Sequence, residues 1–275
     1  MPISDATREQ RTRARGVLNG WQQSELTLPR PVCFVPGWRD EQGQCWTRME
    51  AWFQAIVTNY PADVHFLQFV APSGSGYPPW EDFLDFGSDV ADYVAQHLAN
   101  DPRGVDFVCH SMGGLDTLAA IALMQNQPGI TSTPVTNARN VITFDTPFRG
   151  FASASNPLFQ AFVKAGRQDS WVLLQLGAME PDSKRMVEVG AARDAFLGGV
   201  QAFWPRGADN AAGLLEVPDN SAKFDGPGSF ATAVRPRYRP YFMYADTTHS
   251  GLANGVTNDV RAIVETLQIL TGQKT

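Results

Sequence analysis

The sequence predicts an α/β protein built around a mainly parallel sheet. Short runs rich in β-branched and aromatic residues alternate with longer amphipathic segments between residues 31 and 147. One such run, VDFVCH at 105–110, passes directly into a helix-like segment through a serine and a pair of glycines. Because strands that alternate with helices are joined by right-handed crossovers, the pattern indicates parallel strands covered on both faces.

Five segments are predicted to be strands because they are short, rich in β-formers and bounded by turn residues. The first, PVCFVPG, closes with a Pro-Gly pair that ends the strand. In chain order the predicted strands are 31–37, 63–70, 104–110, 137–147 and 238–246. Ligands of such sheets bind at the carboxyl ends of the strands, so we expect the functional site at that edge.

The segments between these strands carry the apolar spacing of amphipathic helices. In 81–100 and in 255–270 the apolar residues recur every three or four positions, which places them on one helix face. The predicted helices are 45–60, 81–100, 112–127 and 255–270, the third of which ends before Pro128.

The alternation breaks between residues 150 and 235, a segment rich in glycine, proline and aromatic residues. We interpret 150–235 as an inserted cap or lid. The core would then comprise 31–149 and 236–275, and residues 1–30 would form an N-terminal extension. Four arginines of that extension are interpreted as a solvated helix face: Arg8, Arg11, Arg13 and Arg15.

Composition limits the function classes. The 275 residues are 43% hydrophobic, enough for a substantial core, and their net charge of −6 gives no attraction to nucleic acid. The first twenty residues hold no apolar run of signal-peptide length, and no run of about 18 apolar residues predicts a transmembrane helix. Cys33, Cys45 and Cys109 lack metal-binding spacing, so we expect reduced thiols, no metal and a cytoplasmic location.

The junction at Ser111 is the strongest candidate for a site of chemistry. A sharp turn between strand and helix lifts a serine oxygen above the sheet edge, and glycines after it let the helix lie close to the strand. Here the run is Cys109-His110-Ser111-Met112-Gly113-Gly114. It resembles the nucleophile elbow of the α/β-hydrolase family, in its lipase and esterase branch, where the usual run is G-H-S-x-G-G. Cys109 replaces the first glycine of that run.

The resemblance implies a Ser-acid-His triad in that chain order, with no cofactor and a reduced sheet of about six strands that carries the cap. A serine hydroxyl needs a base to become a good nucleophile. Of the four histidines only His249 follows Ser111, since His65, His97 and His110 precede or flank it. A strand before His249 and a helix after it resemble the family's histidine loop.

The acid has three leading candidates, ahead of Asp219. Asp145 ends a predicted strand in VITFDTPFRG, which resembles the family's T-x-G-T-P-H-x-G motif with aspartate in place of glycine. Asp225 lies in the run before the last predicted strand, and Asp246 lies just before His249. We favour Asp145, because it would end the strand next to Ser111, and the other two remain open.

An oxyanion hole would need two backbone N–H groups. Met112 follows the nucleophile and supplies the first. The run FVPGWRDEQG follows the first predicted strand, where the family usually carries His-Gly-x, and Pro36 stands in the place of that histidine. By position, Trp38 supplies the second N–H, and Gly37 lets the backbone come close.

These residues predict a serine hydrolase of carboxylic esters, a lipase or carboxylesterase that works through an acyl-enzyme. Aromatic and leucine residues crowd the start of the predicted cap, which favours apolar acyl chains, with transient contact between the cap and a lipid interface. The alternatives are a thioesterase or acyltransferase, an intracellular polyester depolymerase, and a non-catalytic member of the same fold that binds a ligand.

Overall fold

In a computed structural model of the protein, the described strands pair in parallel and form one sheet. The structure describes residues 5–37, 43–68, 83–123, 137–146, 199–204, 242–243, 247, 249 and 255–273. Within these residues the strands are β1 (Val32–Val35), β2 (Val64–Phe66), β3 (Val105–His110), β4 (Ala138–Phe144), β5 (Gly199–Trp204) and β6 (Phe242–Met243). Their order in the sheet is β2-β1-β3-β4-β5-β6. The predicted α/β class with a mainly parallel sheet of about six strands is confirmed.

Helices connect and flank these strands. Among the described residues they are α1 (Asp5–Trp21), α2 (Thr47–Ile56), α3 (Phe83–His97), α4 (Gly113–Leu118) and α5 (Val260–Leu270). A 3₁₀ turn, Gln44–Trp46, precedes α2, and another, Val256–Asn258, precedes α5. The π-helical segment Ala119–Leu123 continues α4. Each of the four predicted helices thus has a helix in the described residues, and α2 and α5 are shorter than the apolar spacing indicated.

The central strands are the most buried part of the sheet. Every residue of β1 and β3 is buried, as expected for parallel strands that are covered on both faces. In the core beside β1, Phe34 packs edge-on against Trp46 and Phe53 and stacks on Phe66. This packing fixes α2 against the sheet and sets the position of the chain that follows β1.

Strand β5 departs from the expectation drawn from the sequence. Gly199–Trp204 lies within the segment interpreted as a cap, yet it pairs with β4 on one side and β6 on the other. It was missed because a short run bounded by glycines and a proline gives a weak local signal. The remainder of 150–235 lies outside the described residues, so the cap stays a prediction.

The N-terminal helix α1 packs against α5. Ala14 and Leu18 of α1 are buried in the same apolar cluster as Ile263 and Leu267 of α5. Arg11 binds the carboxylate of Asp259 through both Nε and Nη2, at 3.0 and 2.8 Å. The arginines of this helix therefore do not all lie in solvent, because Arg11 joins α1 to the start of α5.

Candidate active site

The turn after β3, where the sequence predicts a nucleophile elbow, is sharp. Ser111 adopts a left-handed backbone conformation, with φ of 54°, between the last residue of β3 and the start of α4. Its backbone N–H donates to the carbonyl oxygen of Phe144 at 2.9 Å, so the turn is tied to the end of β4. The serine is buried, with 5% of its surface exposed.

The two glycines after Ser111 are required by close approach. A Cβ on Gly113 would collide with the carbonyl oxygens of Val35 and Pro36, and a Cβ on Gly114 would collide with the side chain of Thr146. Any larger residue would push α4 away from the sheet. At both positions the helix backbone thus lies directly against the chain that follows β1 or β4.

His249 lies between Ser111 and Asp145. Its Nε2 is 3.0 Å from Oγ of Ser111, and its Nδ1 is 2.6 Å from Oδ2 of Asp145. Since an ionised carboxylate only accepts hydrogen bonds, Nδ1–H donates to Asp145, and the lone pair of Nε2 is left to accept from the serine hydroxyl. All three side chains are buried, so the contacts are formed away from solvent. The arrangement can transfer a proton from Ser111 to His249.

Asp145 occupies a position where glycine would be the usual residue. Its φ is 53°, in the left-handed region that aspartate tolerates better than most side chains. This explains how aspartate can stand where the resembling motif has glycine. The other two acid candidates, Asp225 and Asp246, lie outside the described residues.

The candidate oxyanion groups are described in part. Met112 is buried and stands at the N-terminal end of α4, where backbone N–H groups have no partner within the helix. Trp38 lies outside the described residues, whereas Gly37 before it is described. A Cβ on Gly37 would lie 2.6 Å from Cβ of Ser111 and 2.9 Å from the carbonyl oxygen of His110. The chain after β1 therefore runs directly against the elbow.

Cys109 fits the elbow although the family's usual residue there is glycine. Its Sγ lies 3.1 Å from Oγ1 of Thr117, and that hydroxyl donates to the carbonyl oxygen of Gly113 at 2.8 Å. Burial raises the pKa of the Cys109 thiol, so the group stays protonated at neutral pH. Its side chain thus contacts α4 at Thr117. All three cysteines are buried, and no disulfide joins them.

The chain that follows His249 is anchored at several points. Thr257 donates to the carbonyl oxygen of Cys45 at 2.8 Å, and Oδ1 of Asn258 accepts from the backbone N–H of Arg48 at 3.1 Å. Asp259 caps α5 by accepting from the N–H of Arg261 at 2.9 Å. These bonds hold the start of α5 to α2 and to the 3₁₀ turn that precedes α2. On the other side, the ion pair of Asp259 with Arg11 holds it to α1.

The sequence predicts His110 only as part of the elbow and gives no indication of its contact with His249. Its Nε2 lies 2.8 Å from the backbone carbonyl oxygen of His249, and the two rings lie 4.8 Å apart. Burial, with the nearby ring of His249, lowers the pKa of His110 to about 3. The usual G-H-S run was the available signal, but it does not indicate what the histidine contacts.

The described residues contain no group of three or more histidine, cysteine or acidic side chains that could hold a metal ion. Every helix in the same residues is too short or too polar to span a membrane.

Comparison with known proteins defines the class. The sequence matches the alpha/beta hydrolase family over residues 34–268. The chain therefore belongs to the α/β-hydrolase family, as the elbow and the sheet order indicate. A sequence comparison with curated proteins gives no significant match.

Solved structures share the fold at low sequence identity. Phospholipase PlaB from Legionella pneumophila superposes with a TM-score of 0.58 at 11% identity, covering 88% of this chain and 60% of PlaB. The peroxisomal α/β-hydrolase Lpx1 from Saccharomyces cerevisiae gives 0.52 at 10% identity, covering 91% and 78%. The metagenome-derived lipolytic enzymes LipS and LipT give 0.51 at 12% identity, covering 91% and 96%. This chain thus spans about 60% of the length of PlaB.

Proposed function

We propose that this protein is a serine hydrolase of carboxylic esters with apolar acyl chains, a lipase or carboxylesterase, with Ser111, His249 and Asp145 as its triad. One observation carries the proposal: the His249 ring is within hydrogen-bond distance of the serine hydroxyl through one nitrogen and of the aspartate through the other. A buried hydroxyl, imidazole and carboxylate in this sequence of contacts are the groups that nucleophilic acyl transfer requires.

The first half-reaction acylates the serine. Oγ of Ser111 attacks the ester carbonyl carbon while Nε2 of His249 takes the hydroxyl proton. Asp145 holds Nδ1–H, which keeps the ring in the productive tautomer and stabilises the imidazolium that forms. As the carbon–oxygen bond to the alcohol breaks, His249 returns the proton to the leaving oxygen, and the acyl group remains on Ser111.

The second half-reaction uses water. The oxygen of a water molecule attacks the acyl carbon while His249 accepts a proton from that water. His249 then protonates Oγ of Ser111 as the acid leaves. In both steps the negative charge on the former carbonyl oxygen is stabilised by backbone N–H groups. We assign these to Met112 and, from its position in the sequence, to Trp38.

The preference for apolar acyl chains rests on sequence and likeness. Phe148 follows Asp145 just before the predicted cap, and Phe151, Phe159 and Phe162 lie at the start of that cap. Structures of similar fold include a phospholipase and lipolytic enzymes. An apolar acyl chain is the substrate portion that an aromatic pocket would stabilise through burial. We place the predicted lipid contact at this cap as well.

The test measures hydrolysis of p-nitrophenyl esters from acetate to palmitate, together with covalent labelling by a fluorophosphonate probe. The native protein should turn over these esters and be labelled once per chain at Ser111. Ser111→Ala should abolish labelling and lower kcat by several orders of magnitude while the fold persists. Ser24→Ala changes an exposed serine that bonds the carbonyl of Gly20, and it serves as the matched control with full activity.

The results separate the alternatives. Turnover that survives Ser111→Ala would contradict the proposal, as would native protein with neither turnover nor labelling. The latter result would favour a ligand-binding role. Faster cleavage of acyl thioesters than of oxygen esters would indicate a thioesterase, and activity on emulsified long-chain esters separates a lipase from a carboxylesterase.

A further inference from the structure

We propose that His110 is a positioning residue, which holds the catalytic base in place by donating its Nε2–H to the backbone carbonyl of His249. The inference rests on the proposed function, because it concerns the same triad. It assigns a role to a side chain that neither attacks the substrate nor transfers its proton.

The contact fixes the tautomer of His110. A carbonyl oxygen can only accept a hydrogen bond. Nε2 of His110 is therefore protonated and donates to the carbonyl oxygen of His249, 2.8 Å away. Nδ1 then holds a lone pair, and this buried atom has no hydrogen-bond partner among the described residues. The Nε2–H bond is therefore the polar interaction that the ring contributes within the described part of the chain.

The ring of His110 also lies between separate parts of the site. It is 4.8 Å from the ring of His249 and meets the indole of Trp46 edge-on at 6.2 Å. On the side of the candidate oxyanion loop, a Cβ on Gly37 would lie 3.2 Å from Nδ1 of His110. A ring fixed from several directions has little freedom to move, so the donor it presents to His249 is held in one direction.

The chain order gives this bond its particular effect. His110 is the residue directly before Ser111, whereas His249 is 138 residues after the serine. The hydrogen bond thus joins the backbone of the base to the side chain of the residue beside the nucleophile. A displacement of either segment carries the other with it, which preserves the 3.0 Å separation between Nε2 of His249 and Oγ of Ser111. Catalysis is sensitive to shifts of about 1 Å in such distances.

The uncharged state of His110 suits this role. Because burial and the adjacent His249 lower the pKa of His110 to about 3, the ring carries no charge at neutral pH. It therefore does not repel the imidazolium that forms on His249 during each proton transfer. Asp145 is then the charged side chain that directly contacts His249 among the described residues.

Three substitutions separate the donor from the shape of the ring. His110→Gln can present an amide N–H near the position of Nε2, whereas His110→Asn presents it near Nδ1, and His110→Phe keeps a ring without any donor. The exposed His97→Asn is the matched control. For each variant, kcat is expressed per serine titrated to completion with fluorophosphonate, so that misfolded molecules are not counted, and KM is measured in parallel.

We expect His110→Phe and His110→Asn to lower kcat per titrated serine by about 10- to 100-fold with KM little changed. His110→Gln should restore most of that loss, and His97→Asn should behave as the native protein. A purely structural role for His110 would instead lower the titratable fraction and leave kcat per titrated serine intact. That outcome, or a glutamine variant as slow as the phenylalanine variant, would overturn the inference.

A crystallographic comparison keeps this test separate from the proposed function. In His110→Phe the separation between Nε2 of His249 and Oγ of Ser111 should exceed the 3.0 Å of the native site. An unchanged separation would overturn the inference even if the protein hydrolyses esters. Conversely, native protein without turnover or labelling would refute the proposed function, while the comparison of distances would still decide the positioning role.

Discussion

Ser111 and Asp145 share an uncommon backbone geometry at the ends of neighbouring strands. Their φ angles are 54° and 53°, and the N–H of Ser111 donates to the carbonyl oxygen of the residue before Asp145. For residues other than glycine, this conformation costs about 1–2 kcal/mol each. Such strain persists where the surrounding structure enforces it, and it concentrates at functional sites. Two members of the proposed triad thus carry local strain.

The strain at Asp145 predicts an order of stability. Asp145→Gly and Asp145→Ala both remove the carboxylate, but only glycine adopts a positive φ without steric cost. We expect the glycine variant to have a free energy of unfolding about 1 kcal/mol higher than the alanine variant, measured by chemical denaturation. The same pair at the exposed helical residue Thr12 should show the reverse order. Equal stability of the two Asp145 variants would contradict the prediction.

The identity of the acid predicts a difference between three aspartates. Asp145→Asn replaces the carboxylate that accepts from Nδ1–H of His249 by an amide. The NH₂ of that amide can donate to Nδ1, which favours the tautomer of His249 with its hydrogen on Nε2. By analogy with the corresponding change in serine proteases, kcat should fall by about 1,000-fold or more. Asp225→Asn and Asp246→Asn, measured with the same ester, should keep kcat near that of the native protein. A large loss in either, with Asp145→Asn near normal, would move the acid elsewhere.

The contact between Gly37 and the elbow predicts a steric effect. Gly37→Ala would place a Cβ 2.6 Å from Cβ of Ser111 and 2.9 Å from the carbonyl oxygen of His110, so the loop after β1 must shift. Displacement of a candidate oxyanion segment should lower kcat by about 100-fold, with a loss of about 1–3 kcal/mol in stability.

Gly16→Ala is the matched control for this substitution, because nothing lies within 4 Å of a Cβ at that exposed helical position. It should leave kcat unchanged and raise stability by up to about 1 kcal/mol. If Gly37→Ala hydrolyses esters at the rate of the control, the loop after β1 does not form part of the site.

The ion pairs at the start of α5 predict loss of stability in acid. Burial alone would raise the pKa of Asp259, but hydrogen bonds and charge from Arg261 and Arg11 lower it below its ordinary value. A lowered pKa in the folded state means that the unfolded chain binds the proton first, so stability falls as the pH drops below about 4. In urea titrations Asp259→Asn should lose less stability than the native protein between neutral pH and pH ~3.

Arg11→Met tests the share of α1 in that effect. It removes one of the two guanidinium groups that bind Asp259 and should give an intermediate pH dependence. An unchanged acid profile for Asp259→Asn would show that other carboxylates control the transition.

The buried ring of His110 predicts a second pH effect, over a different range. With a folded pKa of about 3 and an unfolded pKa of about 6.5, the unfolded state alone is protonated between these values. Stability should therefore fall as the pH decreases from about 6.5, with up to about 1.4 kcal/mol per pH unit from this one group. His110→Phe should reduce the slope of unfolding free energy against pH in this range. Parallel slopes for the variant and the native protein would contradict a neutral, buried His110.

Local patterns in the chain were sufficient for much of this architecture. The spacing of apolar residues predicts β3, α3 and α5 within a few residues, because burial on one or both faces leaves a periodic signature in a single segment. The elbow is predicted from Ser111 and the paired glycines that follow a strand, because all of these residues are adjacent in the chain. The short strand β5 and the π-helical end of α4 carry no such signature, so neither was predicted.

What the sequence alone determined is the set of groups: one serine at a strained turn, one histidine after it, and aspartates that could serve as the acid. Tertiary structure decided which of them meet. Asp145 and His249 are separated by 104 residues, and their contact depends on the register of β4 beside β3 and on the anchoring of the chain before α5. The sequence likewise does not predict the bonds of His110 to His249 and of Arg11 to Asp259. Contacts between distant segments are fixed by the packing of whole elements rather than by any local pattern.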